Sequence, residues 1–307
     1  QNYFNWLVIS RKDIQFKSVL KNFLRRPTLQ PLLNRMRSPE LLRTTVNLES
    51  GIGSKQLLVY KLFVGMLWEL AVYEDWAGLS QRLEEPLVGN PIEIRRKGRL
   101  ISQDLANSIR EYNAILSQDR AMAKTRKRVA ELGAGYGRLG YVFAQDNCTG
   151  YFIFDIPPAL YVSQWYLREL YPQKKIFQFR PFASFAEVER ELEECDLAFF
   201  TPNQLEMFPD DYFDIFLSIS TLPEMSMQQV EHYLQTFSRL SSKYVYLKQW
   251  SEWLNPSDQV QFSRQHFDLD ANWTLLYDRI DSVQSLFFER LWQKQIRLPG
   301  ASVVGET

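Results

Sequence analysis

The sequence predicts an α/β fold, in which a mostly parallel sheet carries helices on both faces. From residue 128 onward, short apolar runs alternate with stretches of helical periodicity, which is the pattern of strands joined by helical crossovers. The first of these runs leads directly into four glycines within residues 133–140. Glycines at this point permit a tight turn from strand to helix and a close approach of the backbone to a ligand.

Five apolar runs predict the strands of the main sheet: Val129–Leu132, Tyr151–Asp155, Leu197–Phe200, Phe213–Ile219 and Tyr244–Leu247. Helices are predicted at Pro158–Tyr171, whose prolines fall in the first turn, and after the capping box Ser226–Gln229. The remaining predicted elements are an inserted strand and helix, then an antiparallel strand pair that closes the sheet: Lys175–Phe179, Glu187–Glu194, Trp273–Ile280 and Ser285–Trp292.

Residues 1–127 are predicted to form a helical N-terminal region, and residues 128–307 the α/β domain. Helical spacing covers Gln56–Asp75 and Gln103–Ser117, whereas Glu85–Arg99 contains two prolines and two glycines and predicts a loop or short hairpin. The first 128 residues hold 22 Lys and Arg against 12 Asp and Glu, and the remainder holds 14 against 24. This difference favours packing of two oppositely charged halves, and it also allows the basic half to contact an anionic ligand.

The composition excludes several classes of protein. Cys148 and Cys195 cannot build a disulfide framework, which predicts a reducing, cytoplasmic compartment. The most apolar stretch, Gln56–Tyr73, is interrupted by two charged residues, so no membrane span is predicted. The basic residues are scattered without a nucleic-acid module, so no nucleic-acid partner is predicted. Since the chain begins at Gln1 without the pattern of a signal peptide, we expect that an N-terminal extension has been removed.

The glycine cluster lies in the motif ELGAGYGRLG, residues 131–140, between a predicted strand and a predicted helix. Asp155 ends the next strand about 20 residues later, where its carboxylate can accept both hydroxyls of a ribose. The motif therefore predicts a site for a nucleoside cofactor. A dinucleotide site is disfavoured, because Arg138 occupies the position of the third glycine in the phosphate-binding fingerprint.

An acidic residue, Glu131, stands two positions before the first glycine. With this acid the motif resembles motif I of the class I S-adenosylmethionine-dependent methyltransferases, in which the acid lies near the positively charged methionyl group. The resemblance extends over roughly residues 128–293. It implies a Rossmann-like sheet of seven strands, S-adenosylmethionine as cofactor, and an N-terminal helical cap, with Arg95–Ile115 as the nearest part of a lid over the acceptor.

Three blocks together resemble the sugar O-methyltransferase family: ELGAGYGRLGYV (131–142), FDIPPALYVSQWYL (154–167) and ISTLPEM (219–225). The resemblance implies O-methylation of a hydroxyl on a sugar or another small specialised metabolite, anionic or glycosidic. Two alternatives stay open: methylation of a carboxylate or amine of a peptide-derived metabolite, and a non-catalytic scaffold with the same fold. The oligomeric state is left open by the sequence.

The resemblance also implies the residues of the site. Those expected to bind the cofactor are Glu131, Gly133, Ala134, Gly135, Gly137, Asp155, Ile156, Asn203, Gln204 and Ser220. Those expected to contact the acceptor are Tyr136, Arg138, Lys248 and Trp250.

Transfer to a hydroxyl requires a base that removes the proton. Only two histidines exist, and helical spacing places His232 on the surface, which leaves His266 as a candidate. Glu224 is the favoured candidate, because the loop after the fourth strand faces the donor methyl in this fold; capping of the following helix is its alternative role. No metal is predicted, because Asp214 begins its strand at the opposite end of the sheet.

Overall fold

The computed structural model of the protein describes residues 20–21, 54–255 and 259–295. Its α-helices of six residues or more are α1 Ser54–Glu74, α2 Gln103–Ile115, α3 Arg138–Phe143, α4 Pro157–Leu170, α5 Glu189–Glu194 and α6 Met227–Leu240. Its strands are β1 Ile94–Arg96, β2 Arg99–Ile101, β3 Lys127–Leu132, β4 Thr149–Phe154, β5 Ile176–Phe177, β6 Leu197–Phe200, β7 Phe213–Ile219, β8 Ser241–Trp250, β9 Glu252–Leu254, β10 Gln261–Ser263, β11 Trp273–Ile280 and β12 Phe287–Lys294.

Eight strands form the central sheet in the order β11-β12-β8-β7-β3-β4-β6-β5. The strand β12 runs antiparallel to both of its neighbours, and every other pair in this sheet is parallel. A parallel sheet with a reversed last strand is the arrangement that the methyltransferase resemblance implies, so the predicted fold class is confirmed. The predicted number of seven strands is wrong, because the inserted segment adds β5 at the edge of the sheet beside β6.

The central strands are apolar on both faces because helices cover both faces. Successive residues alternate, so that Tyr151 and Ile153 of β4 enter one core while Phe152 and Phe154 enter the other. The first core is shared with α1, α2, α3 and α4, and the second with α5 and α6. The sheet is therefore the middle of three layers.

The N-terminal elements pack directly against the sheet. Both predicted helices are present as α1 and α2, and the segment predicted as a loop or short hairpin contains the β1–β2 hairpin. Helix α2 is buried along almost its whole length, and its first turn is capped by Ser102 Oγ, which accepts the Leu105 N–H at 2.9 Å. The rest of the predicted helical region, residues 1–19 and 22–53, lies outside the described residues.

The strands β8 and β12 extend beyond their predicted ends for a common reason. The strand β8 spans Ser241–Trp250 rather than residues 244–247, and β12 ends at Lys294 rather than at residue 292. The polar residues at their ends form backbone hydrogen bonds with neighbouring strands. A prediction from apolar runs does not include such residues. The small β9–β10 pair is likewise not predicted by periodicity. Within the described residues, no helix is long and apolar enough to cross a bilayer.

Candidate functional site

The glycine motif forms the connection from β3 to α3. Gly133, Gly135 and Gly137 all have positive φ, at 81°, 59° and 88°. A positive φ is unfavourable for residues that carry a Cβ atom, so glycine at these three positions allows the loop to follow its path. The predicted strand-to-helix turn is present, and Arg138 is the first residue of the helix that follows.

Thr221 lies directly against the first glycine of the loop. A Cβ atom added to Gly133 would be 2.0 Å from Thr221 Oγ1, so no larger residue fits there. The Thr221 hydroxyl lies within hydrogen-bond distance of the carbonyl oxygens of Gly133 and Ile219, at 3.3 and 3.1 Å. Thr221 is a site residue that the sequence analysis missed, although it lies within the ISTLPEM block.

The turn that carries Thr221 is held in place by the end of β8. Ser220 has a positive φ of 57° and donates its N–H to the Lys248 carbonyl at 2.8 Å. The Thr221 N–H donates to Gln249 Oε1 at 3.1 Å, and the Gln249 amide donates in turn to the Ser218 carbonyl. The predicted position Ser220 thus lies beside the glycine loop in a constrained backbone conformation.

Asp155 joins the glycine loop to the end of β4. Its Oδ2 accepts the Gly135 N–H at 2.8 Å, and its Oδ1 accepts the Ile156 N–H at 2.7 Å. Only 7% of the residue is exposed, and burial raises the pKa of its carboxyl, while the two backbone N–H groups lower it. Because each carboxylate oxygen has two lone pairs, both oxygens keep a free acceptor position for a ligand hydroxyl.

Glu131 lies buried on β3, two residues before the loop. It accepts a hydrogen bond from the Tyr151 hydroxyl at 2.7 Å. Burial raises the pKa of Glu131 to about 7, against the lowering effect of the Tyr151 hydroxyl and of Arg138. A cationic ligand near the loop would favour the ionised form of this carboxyl, whereas an anionic one would oppose it.

The adenine side of the predicted site lies at the ends of β4 and β6, which are neighbours in the sheet. Ile156 and Asn203 are exposed there, so both can contact a ligand. Gln204 is buried and already engaged, because its amide donates to the Arg180 carbonyl at 3.0 Å and its Oε1 accepts the Thr201 N–H. Ala134 is buried inside the glycine loop.

Arg138 and Lys248, both expected to contact the acceptor, pair with buried acids. Arg138 forms a bidentate pair with Glu111 of α2, with N–O distances of 2.5 and 3.1 Å. Lys248 is 1% exposed, and its ammonium group lies 3.1 Å from Glu111 and 2.8 Å from Asp281. Because Glu111 of α2 binds both cations, they belong to one charge network, and Lys248 is buried in it rather than exposed to an acceptor.

The two aromatic residues expected near the acceptor have different surroundings. Tyr136 donates its hydroxyl to Asp104 Oδ2 at 3.0 Å and packs edge-to-face on Tyr166. Trp250 is half-buried, with its ring 4.4 Å from the Phe287 ring. Tyr136 therefore links the glycine loop to α2, while Trp250 packs at the end of β8.

Glu224 lies close in sequence to the contact between Thr221 and the glycine loop. It ends the 3-10 helix Leu222–Glu224, and the residue is exposed. His266 occupies a structural position, because its Nδ1 accepts the Ser263 N–H at 3.0 Å in the capping box of the 3-10 helix Arg264–Phe267. His232 lies on the surface, as predicted, beside Glu206.

In the part of the chain that the structure describes, no three or more His, Cys, Asp or Glu side chains are grouped so that they could hold a metal ion. The absence of a metal requirement therefore stays a prediction from the sequence.

Comparison with known proteins gives similarity in structure only. No family model and no curated protein matches the sequence. Magnesium protoporphyrin IX methyltransferase from Synechocystis PCC 6803, solved with bound SAH, aligns at 11% identity over 78% of this chain and 100% of that chain, with a TM-score of 0.43. The PH0226 protein from Pyrococcus horikoshii OT3 aligns at 10% identity over 61% and 91%, with a TM-score of 0.42. An arsenic(III) S-adenosylmethionine methyltransferase from Chlamydomonas reinhardtii aligns at 16% identity over 58% and 66%, with a TM-score of 0.34. Likeness at this level does not identify a reaction, which has to be argued from the side chains.

Proposed function

We propose that the protein is an S-adenosylmethionine-dependent methyltransferase that acts on a hydroxyl of a sugar or another small specialised metabolite. The observation that carries this proposal is the pairing of the glycine loop with Asp155 at the carboxyl ends of β3 and β4. A loop of this kind beside a strand-terminal carboxylate suits a nucleoside, because the backbone can approach the ligand while the carboxylate accepts the ribose hydroxyls.

The charges near the loop favour a sulfonium cofactor over a dinucleotide. A pyrophosphate would approach Glu131, an acid with no basic residue paired to it among the described residues. Arg138, which occupies the fingerprint position of the third glycine, donates to Glu111 through both terminal guanidinium nitrogens, Nη1 and Nη2, and so is not free to neutralise a phosphate. A cofactor that carries positive charge instead gains from the Glu131 carboxylate.

The residues of this chain then have distinct tasks toward the cofactor, which supplies an electrophilic methyl group when bound. The glycine loop brings the backbone close to the methionyl and ribose groups, and Asp155 accepts the ribose hydroxyls. Both Ile156 and Asn203 are exposed; Ile156 packs on the adenine ring, and the amide of Asn203 contacts its polar edge. Ser220 and Thr221 fix the opposite wall, since Thr221 touches Gly133.

Proton removal from the acceptor is assigned to Glu224. Its backbone N–H donates to the Thr221 carbonyl, so the turn that touches the glycine loop also carries this carboxylate. An acceptor oxygen becomes strongly acidic as it gains the methyl group, so a carboxylate can take its proton late in the transfer. His266 is engaged in a helix cap through Nδ1, which makes it the weaker candidate.

A labelling experiment tests the reaction class. The protein is incubated with tritium-labelled S-adenosylmethionine and a panel of hydroxylated, carboxylated and amino metabolites, and label transferred to each is counted. We expect transfer to hydroxylated compounds that depends on the wild-type protein. Transfer confined to carboxylates or amines would contradict O-methylation, and absence of cofactor binding by folded protein would favour a non-catalytic scaffold.

A further inference from the structure

A cleft lies beside the glycine loop, between residues 85–92 of the N-terminal region and helix α4. Tyr136 of the loop and Trp165 and Tyr166 of α4 supply aromatic walls. The empty volume is about 490 Å³, part of which is open solvent. Trp165 is 45% exposed, so its ring is accessible to a ligand from outside.

Two carboxylates, from Glu85 and Asp104, also line this cleft. Glu85 accepts a hydrogen bond from the Ser102 hydroxyl, and Asp104 accepts one from the Tyr136 hydroxyl. Among the residues that the structure describes, neither carboxylate has a lysine or arginine ion-pair partner. Arg138 is the cation that acts on Asp104, and it is already bound to Glu111.

Burial disfavours the ionised forms of both carboxyls. Burial raises the pKa of Glu85 to about 7, and it also raises the pKa of Asp104. A positive charge held between the two groups would favour their ionised forms. An anion would be repelled by them, so the cleft does not suit the anionic ligand considered in the sequence analysis.

We propose that this cleft binds an organic cation, namely a protonated or alkylated amine of a small molecule. The ammonium group would lie against the faces of Trp165 and Tyr166, with Glu85 and Asp104 balancing its charge. Aromatic walls with nearby carboxylates are the combination that stabilises such cations in proteins. The site does not depend on the methyltransferase assignment, although Tyr136 places its occupant beside the proposed donor site.

Calorimetric titration at pH 8 with choline chloride tests the site, with 3,3-dimethylbutan-1-ol as the uncharged probe of nearly the same shape. We expect choline to bind at least about tenfold more tightly than the alcohol, which is the order of effect of cation–π contacts. Equal affinity for the two probes, or no choline binding by folded protein, would overturn the proposal.

Three variants locate the binding. Trp165→Leu and Glu85→Gln should each weaken choline binding by about tenfold. Tyr161→Leu is the matched control, because Tyr161 is 73% exposed on the same helix but does not line the cleft. Unchanged affinity in both cleft variants would contradict the proposal. Protein that binds choline but not S-adenosylmethionine would support the cleft and count against the methyltransferase assignment alone.

Discussion

The backbone N–H of Gly135 donates to Asp155 Oδ2 at 2.8 Å, which joins the loop after β3 to the residue that follows β4. Asp155 also accepts the Ile156 N–H, which fixes its carboxylate at the carboxyl edge of the sheet. A single side chain thus shapes the glycine loop and remains an acceptor for a ligand hydroxyl.

Gly133→Ala should destabilise the fold and abolish cofactor binding. The added Cβ would overlap Thr221 at 2.0 Å and would also occupy a backbone with φ of 81°. We expect a loss of at least about 2 kcal/mol in the free energy of unfolding. Gly135→Ala is the control, because its φ of 59° gives backbone strain while no atom lies within 4 Å of the new Cβ. Urea unfolding should show the smaller loss in this variant, about 1 kcal/mol; equal losses would contradict the close contact with Thr221.

Lys248→Met should destabilise the protein because it removes one cation from two buried acids. Lys248 bridges Glu111 and Asp281, both almost fully buried, while Arg138 stays paired with Glu111 and Arg110 with Asp281. We expect a loss of about 3 kcal/mol in unfolding free energy, the lower end of the range for a broken buried ion pair. Lys243→Met removes the exposed ion pair with Asp214 and should cost less than about 1 kcal/mol. If the Lys248→Met protein had normal stability and had lost only affinity for the acceptor, Lys248 would be a ligand contact rather than a structural cation.

Glu131 makes the stability of the ligand-free protein depend on pH. Its pKa is raised by burial to about 7 in the folded state, whereas the unfolded chain has the ordinary value of about 4.3. Between these values the folded state binds more protons, so stability falls as the pH rises from about 4.3 to about 7.

Glu131→Gln should remove this part of the pH dependence while preserving a hydrogen-bond acceptor for Tyr151. We expect the variant to be more stable than wild type at pH 8, by up to about 3 kcal/mol. The gain should shrink toward pH 5. Urea unfolding at both pH values measures the effect, and identical slopes for the two proteins would contradict a buried carboxyl of raised pKa at this position.

Glu224→Gln should lower kcat, measured with an identified acceptor, without changing the affinity for S-adenosylmethionine. Loss of a general base costs about 100-fold to 10,000-fold in rate. Glu206→Gln, a change at another exposed glutamate, serves as the control. A Glu224→Gln protein with normal kcat but reduced stability would indicate that the residue only supports the turn before α6.

Local patterns predicted the strand, the glycine turn and the position of Asp155 correctly. The strand, the glycine loop and Asp155 lie within 30 residues of sequence, and the residue types in this segment are typical of a strand-turn-helix unit. The reversed last strand also followed from two adjacent strand patterns with a short turn. These features depend on neighbours in the chain, which a single sequence displays.

Contacts between distant segments were not predictable in the same way. Thr221 meets Gly133 across 88 residues, and Lys248 meets Glu111 across 137. Lys248 follows a predicted strand and is expected from the sequence to contact the acceptor, whereas Glu111 of α2 pairs with it in a buried position. Likewise, no local signal marks Glu85, Asp104 and Trp165 as walls of one cleft.

The most direct test of the account is calorimetric titration of the purified protein with S-adenosylmethionine and S-adenosylhomocysteine, beside Asp155→Ala and the exposed control Asp210→Ala. We predict that Asp210→Ala binds each compound as tightly as wild type does, and that Asp155→Ala binds each at least about tenfold more weakly, since it loses the hydrogen bonds of a carboxylate to the ribose. Binding that Asp155→Ala leaves unchanged, or no binding by folded wild-type protein, would contradict a nucleoside cofactor site at the glycine loop.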